Sequence, residues 1–513
     1  MDGSLPASSA FYRHAANRVP LAEATYWGVA YLMDRTFLAN VFERYRGRSF
    51  EESLSFGGML NLVSDALLLH GGFLLPALVA ADENKEFEGT PQGVYGKLRR
   101  CPQSLSHGFL AEGAIRLIEV MNPLPSPIPL SLQDFEVLIL DGKKIKKVAK
   151  RLKPTRSFQG SVLGGKVLAA LDLETGMIRF MSSDQDGETN DVPLVQPLLE
   201  QMRLFPSDKP RLLVLDSQFC DLGLPILFDN ERYSYLIRWS LKTSFERDHE
   251  RGVKEGVNKE GQQYLDEWGW MGSKKDPRRR YVRRITVIRP GDVNVIVFTN
   301  LLDDTRYLAT DLMALYLKRW CIESVFQQVT EVFHLKRLIS CSPCGTIFQF
   351  AFCAMLYNQL ILQRSYIVNP PAPEPIKPLQ PTTTEAAPVD TAKESTAQKQ
   401  TKPVTTNLPT APDQPTITIE MFSMEKYFKD VVEELIAWNK IIPMHWTLDY
   451  FATPLTPAEM RLRMTQLLHG RWEPKWLKAP KKKFHPKKQD PPLLGGHTSI
   501  YRLIYGDPRT KRV

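Results

Sequence analysis

The sequence predicts an α/β fold: a sheet of buried strands covered by helices, interrupted by a β-strand insertion and flanked by α-helical N- and C-terminal regions. Three observations predict it. Two short apolar runs, Glu136–Leu140 and Arg211–Leu215, each end at an aspartate, Asp141 and Asp216. Runs this short and this apolar read as strands buried on both faces. The elements around them follow in the order strand, strand, strand, helix, strand, helix, strand. Residues 241–305 then substitute short charged strands before a long helix resumes.

The elements justify themselves in turn. Residues 1–130 read as helical, with apolar periodicity over Leu60–Leu75 and Phe109–Met121. Between them Thr90-Pro91 starts a short helix bearing Lys97, Arg99 and Arg100, a cation cluster suited to a DNA groove or to a solvated face. The first strand is expected to finish at Asp141-Gly142. Gly165–Asp172, the turn Glu174-Thr175-Gly176 and Met177–Met181 form a hairpin. A helix follows over Asp191–Arg203, with Leu194, Leu198 and Leu199 on one side and a kink expected at Pro197. The strand before Asp216, a helix over Leu222–Phe228 and a strand over Tyr233–Trp239 complete the order of the RNase-H-like (retroviral-integrase-like) fold, assigned to residues 131–365. The insertion, 241–305, has strands at Gln262–Trp270, Tyr281–Ile288 and Val293–Asn300, and the basic stretch Lys274–Arg284. A long helix is expected over Thr310–Leu338.

Residues 366–416 read as a Pro/Thr-rich disordered linker: eleven prolines and no aromatic residue fall within 370–415, too little apolar surface to offset ordering. Residues 417–513 read as a helical C-terminal region with a basic tail. Its helices are expected over Met424–Trp438 and Pro457–His469. Lys481, Lys482 and Lys483 sit in the tail with Trp472, Trp476 and Phe484 nearby, a mixture that suits a phosphate backbone with exposed bases or a solubilising tail.

Lys plus Arg exceed Asp plus Glu by 66 to 57, a net charge of +9, which leans toward an anionic partner. The N-terminal residues do not read as a secretory signal. The apolar stretch Ile347–Leu362 is interrupted by Gln349, Asn358 and Gln359 and reads as too short and too polar to span a bilayer. Six cysteines in 513 residues are no disulfide framework, and Cys341-x2-Cys344 lacks a second pair at zinc spacing. A membrane role is not expected, and a cytoplasmic, nucleoid-associated location is.

The chemistry rests on the acids. A lone aspartate after a strand is ordinarily a turn residue. Two carboxylates at the ends of neighbouring buried strands repel each other and are costly to desolvate unless a cation joins them. Oxygen-only donors suit Mg²⁺ or Mn²⁺ better than zinc. On the long helix, Tyr316, Arg319, Glu323, Gln327 and Thr330 are spaced to form one polar stripe. Leu315, Ile322, Phe326, Val329 and Phe333 form an apolar stripe that can dock on the sheet. Glu323 can then supply a third carboxylate.

These residues resemble a known family. Tyr316-x2-Arg319-Trp320-x-Ile322-Glu323 is similar to the Tyr-x2-Arg-x3-Glu-x6-Lys signature of the insertion-sequence-four family of DDE transposases. Val137-Leu138-Ile139-Leu140-Asp141-Gly142 and Leu213-Val214-Leu215-Asp216-Ser217 resemble that family's two aspartate strands. The resemblance covers about 130–340, with a β-strand insertion in the matching place. The chain departs from the signature at Thr330, where the family has lysine; Lys336 or Arg337 stands nearby as a compensating charge.

The resemblance implies an RNase-H-like DNA transposase. Its Asp141, Asp216 and Glu323 would hold two Mg²⁺ ions, replaceable by Mn²⁺, roughly 3.5–4 Å apart. It would cut the inverted-repeat ends of its own mobile element and join the freed 3′-hydroxyls to target DNA, with or without a hairpin. Tyr316 and Arg319 would position the end phosphate, and Trp320 would stack on terminal bases or pack on the sheet. Thr330, Lys336, Arg337, Lys97, Arg99, Arg100 and Lys481–Lys483 complete the expected DNA contacts. Double-stranded DNA and a second copy are the expected partners, with 418–470 contributing to a homodimer interface. Two alternatives stay open: a structure-selective nuclease of the same fold, and a catalytically weak or domesticated DNA-binding descendant.

Overall fold

In the computed structural model, the structure describes residues 17–49, 54–70, 73–83, 90–146, 152–331, 340–369, 421–442, 450–479 and 496–506, with 51, 148, 150 and 447 standing singly. Among the described residues, six helices precede the sheet: α1 (Pro20–Leu32), α2 (Arg35–Tyr45), α3 (Phe56–Leu68), α4 (Leu74–Glu83), α5 (Pro91–Arg100) and α6 (Gln103–Glu119). The Thr90 side chain caps α5 through the Gly93 N–H, as Thr-Pro at a helix start leads one to expect.

The sheet begins with β1 (Glu136–Ile145), followed by the helical turn α7 (Lys153–Arg156), β2 (Ser161–Leu163), β3 (Gly165–Asp172) and β4 (Ile178–Asp184). Next come α8 (Val195–Arg203), β5 (Arg211–Leu215), α9 (Gly223–Asn230) and β6 (Ser234–Arg238). The insertion supplies β7 (Phe245–Arg247), β8 (Val253–Val257), β9 (Gln263–Met271), β10 (Arg280–Val287) and β11 (Val295–Thr299). The strands lie in the order β4-β3-β1-β5-β6-β11-β10-β9-β7, with β8 against β9. β1 is antiparallel to β3 and parallel to β5; β5 is parallel to β6. The insertion therefore extends the main sheet, because β11 pairs antiparallel with β6.

Alternation along each strand divides the core. Val137, Ile139, Leu212 and Val214 pack on one face; Leu138, Leu140, Leu213 and Leu215 pack on the other against Leu198, Leu199 and Met202 of α8 and Phe228 of α9. The β3–β4 turn closes through the Asp172 carboxylate, which accepts from the Glu174 N–H and the Thr175 hydroxyl. Gly176 there has φ +77°, a conformation glycine adopts without steric cost.

Five expectations change. Asp141 does not end its strand: β1 runs on to Ile145 against β3, while its parallel pairing with β5 stops at Ile139. Pro197 produces no kink, because it falls in the first turn of α8, where its missing N–H has no intrahelical partner to lose. The long helix is two, α10 (Ala309–Leu317) and α11 (Trp320–Glu331). Between them, Arg319 N–H bonds to the Tyr316 carbonyl and Cys321 N–H to the Lys318 carbonyl, the i→i+3 pattern of a tightened turn. The stretch 332–338 lies outside the described residues, as does 370–416 of the linker expected over 366–416; residues 366–368 are instead the end of a buried helix, Pro343–Val368, where Tyr366 and Ile367 pack into the core. Finally, the apolar stretch at 347–362 belongs to α12 (Pro343–Val368), long and apolar enough to cross a membrane by length and composition but wholly buried within the protein.

Polar pins hold α12 in place. Asn358 accepts from the Ile178 N–H and donates to its carbonyl, at 2.9 and 2.8 Å; Gln363 donates to the Thr25 hydroxyl at 3.0 Å. The C-terminal helices α13 (Met424–Ile441) and α14 (Pro457–Leu468) pack on α1, and the Glu434 carboxylate receives the Leu21 N–H at 2.7 Å. The last described elements are β12 (His497–Ser499), paired parallel with β2, and α15 (Ile500–Tyr505).

Candidate active site

The strand alternation that buries Ile139 and Val214 carries Asp141 and Asp216 to the same face of the sheet. β5 ends at Leu215 while β1 continues, so the two acids emerge where the parallel pair parts. α10 and α11 cover that face with Leu315, Ile322, Phe326 and Val329, the expected apolar stripe as far as it is described.

Arg319, at the turn between α10 and α11, joins the acids. Its side chain is 4% exposed; its guanidinium donates to Glu323 Oε1 at 3.0 Å and lies 3.9 Å from Asp141 Oδ2. Burial works against its charge, but Asp216, Tyr316, Asp141 and Glu323 outweigh it and hold its pKa above the ordinary value. Asp141 accepts the Gly142 N–H at 2.9 Å. Burial lifts its pKa from 3.8 to about 6; the Gly142 bond and Arg319 oppose the rise, while Glu323 and Asp191 add to it. Asp216 Oδ1 is buried and receives no hydrogen bond among the described residues. The same holds for the Tyr316 hydroxyl, whose pKa burial raises, so it stays a neutral donor.

The other expected site residues fall as follows. The polar stripe is not uniform: Tyr316 and Arg319 are buried, Glu323 and Thr330 half-buried, Gln327 exposed. The tightened turn at Lys318–Arg319 moves the first two inward. Trp320 is exposed, with the Arg319 guanidinium 5.0 Å from its ring centre. The Thr330 hydroxyl donates to the Phe326 carbonyl at 2.6 Å, one turn back on its own helix. Lys97 bonds to the Leu54 carbonyl, whereas Arg99 and Arg100 are exposed. Lys336, Arg337 and Lys481–Lys483 lie outside the described residues.

Sequence reasoning missed two neighbours of the site. Asp191 is buried behind β1, ion-paired with Lys166, and a Cβ on Gly142 would stand 1.9 Å from its Oδ1, so any larger residue there must displace the Asp191 carboxylate. Nothing local signals that approach. Lys143 sits two residues beyond Asp141, with its ammonium 5.6 Å from the Phe326 ring centre. Strand alternation past Asp141 is the signal that points to it, hidden by ending the strand at Asp141.

A metal fits the donors rather than the spacing. Oxygen-only acids, one of them buried and another with a buried, unpaired carboxylate oxygen, suit a hard divalent cation. Among the described residues, however, no three of His, Cys, Asp and Glu are gathered closely enough to hold an ion as they stand. The guanidinium of Arg319 lies among the three acids.

An α/β core with a large mixed sheet and clustered acids on one face is the class that fold and site define. Within it, residues 132–359 match the family model described as the transposase DDE domain. The match takes in both aspartate strands, the insertion and the helix of Glu323. Comparison with curated proteins finds no match. Among solved structures the chain is similar to a piggyBac transposase in a synaptic complex with hairpin DNA. The identity there is 11% and the TM-score 0.34, over 88% of this chain and 77% of that one; a likeness so loose carries no weight below.

Proposed function

We propose that this chain is a metal-dependent DNA transposase of the insertion-sequence-four kind, with Asp141, Asp216 and Glu323 as its catalytic acids. One observation carries the reading: within the stretch matching the transposase DDE domain, Asp141 and Asp216 leave adjacent parallel strands on one face, and Arg319 bridges Asp141 and Glu323 while feeling the charge of Asp216. The strand order β4-β3-β1-β5-β6, antiparallel for the first three and parallel thereafter, supports an RNase-H-like core.

When bound at these acids, Mg²⁺ or Mn²⁺ supplies a water of lowered pKa and stabilises the leaving oxygen. The chain's own residues do the rest. Asp141, Asp216 and Glu323 would hold the cations, and Arg319, which pairs with Asp141 and Glu323, would offer its guanidinium to a non-bridging phosphate oxygen. Tyr316 donates its unpaired hydroxyl beside it. The exposed Trp320 ring offers a stacking surface to the terminal base. Arg99 and Arg100 on α5 contact the backbone of the inverted repeat, setting register, while base contacts specify it. Coupled cutting of two ends calls for a homodimer, acting in the cytoplasm.

The test uses the full chain, Mg²⁺ and a linear duplex carrying the DNA that flanks the coding sequence, beside a duplex with scrambled flanks. Cutting at the flank boundary of the first alone supports the transposase. Equal cutting of both would make it a nuclease. Specific binding without cutting would make it a domesticated binder, the reading that the self-bonded Thr330 hydroxyl favours.

A further inference from the structure

We infer that Lys143 is a phosphate-binding residue of the site, placed on the opposite flank of Glu323 from Arg319; the inference rests on the DNA-cleaving reading above. β1 does not stop at its catalytic acid but runs on to Ile145, so alternation puts Asp141, Lys143 and Ile145 on one face. That face is covered by α11. The Lys143 ammonium stands 5.6 Å from the ring centre of Phe326, which is itself buried. An ammonium over an aromatic face is drawn to the negative side of the ring, which holds the Lys143 charge in direction beside α11.

Distances along the helix give the arrangement its meaning. Arg319 is four residues before Glu323 and Phe326 three residues after it. At 1.5 Å per residue Phe326 lies roughly 4–5 Å beyond Glu323 along the axis, while the Arg319 guanidinium reaches Glu323 from the preceding turn. Arg319 is committed to Asp141 and Glu323. A phosphodiester entering beside three carboxylates meets a strongly negative surface, and one shared guanidinium does not neutralise it. On the Phe326 flank the next polar side chain of α11, Thr330, donates its hydroxyl to the helix backbone. Lys143 brings a point charge to that flank from the strand. It meets a non-bridging oxygen of the bound strand, so the phosphate is held from both sides of Glu323.

The experiment compares wild type, Lys143→Gln and Lys143→Arg as full-length proteins on the duplex carrying the flanking DNA. Affinity is measured against salt without divalent cation, and single-turnover cleavage with Mg²⁺. Loss of one phosphate contact lowers the slope of log affinity against log salt by about 0.9. Lys143→Gln is expected to show that drop and to cut on the order of 10- to 100-fold more slowly; Lys143→Arg is expected to keep the wild-type slope and most of the rate. A merely structural role would lower affinity or melting temperature without changing the slope. A wild-type slope in Lys143→Gln overturns the inference, and does so with the transposase reading intact if wild type still cuts. If wild type binds without cutting and the slope still drops, the phosphate contact stands and the enzymatic reading falls. Absence of DNA binding by wild type overturns both.

Discussion

The most exacting consequence of the site concerns Asp141 in the absence of metal. Burial raises its pKa from 3.8 to about 6. A shift of that size, at about 1.4 kcal/mol per unit, costs the folded state up to about 3 kcal/mol once the group is ionised. The sign follows from proton counts. Below about pH 4 folded and unfolded chains both carry the proton and there is no penalty. Between 4 and 6 the folded state holds the proton longer, so its stability falls as pH rises; above 6 the penalty is complete. Asp141→Asn keeps an oxygen for the Gly142 N–H and removes the charge. In EDTA at pH 8 the variant is therefore expected to melt a few degrees above wild type, and the gap to shrink to about a third by pH 4.5 and to close only below pH 4. Mg²⁺ at pH 8 is expected to raise the wild-type midpoint and leave the variant's unchanged. Scanning fluorimetry across that pH range reads both effects. A variant that melts below wild type at pH 8 would show that the ionised carboxylate is a net stabiliser through Arg319, and the reasoning would fail.

Three further outcomes follow from the geometry. Gly142→Ala drives a methyl into the Asp191 carboxylate, 1.9 Å away, and should cost about 1–3 kcal/mol in urea unfolding; a neutral result would mean that Asp191 moves aside freely. Trp320→Ala, at an exposed position, should change stability by no more than about 0.5 kcal/mol yet weaken binding to the flanking DNA, which a gel-shift titration reads. Thr330→Val removes only a hydroxyl bonded to its own helix, so DNA affinity should stay within about twofold by the same titration, since losing a real phosphate contact would cost more.

The parts of the site legible in the sequence were those set by local pattern. The apolar runs before Asp141 and Asp216 announce buried strands, and period two puts both acids on one face. The helix spacing of Ile322, Phe326 and Val329 correctly docks α11 on the sheet. What periodicity could not show is where regularity breaks. Nothing between Tyr316 and Glu323 marks the tightened turn, which involves no proline or glycine and answers to tertiary packing of Arg319. Side-chain availability was equally hidden: a threonine on a helix face looks like a donor until its hydroxyl is found on the Phe326 carbonyl. Long-range approaches left no trace at all. Asp191 behind Gly142, β12 beside β2 and Glu434 at the start of α1 join residues far apart in the chain. The opposite error came at Gln349, Asn358 and Gln359. There polar residues read as interruptions in an apolar stretch are buried within α12, with Asn358 bonded to β4.

The central claim is that three acids from two strands and one helix make a single metal-dependent cutting site. Its most direct test is single-turnover cleavage of the flanking-DNA duplex by Asp141→Asn, Asp216→Asn and Glu323→Gln, each first shown to be folded and to bind that duplex. The account predicts that each variant loses at least about a hundredfold in rate, the order seen when an electrostatic catalytic group is removed. Retention of near wild-type cutting by any one of the three would remove that acid from the site and contradict the account.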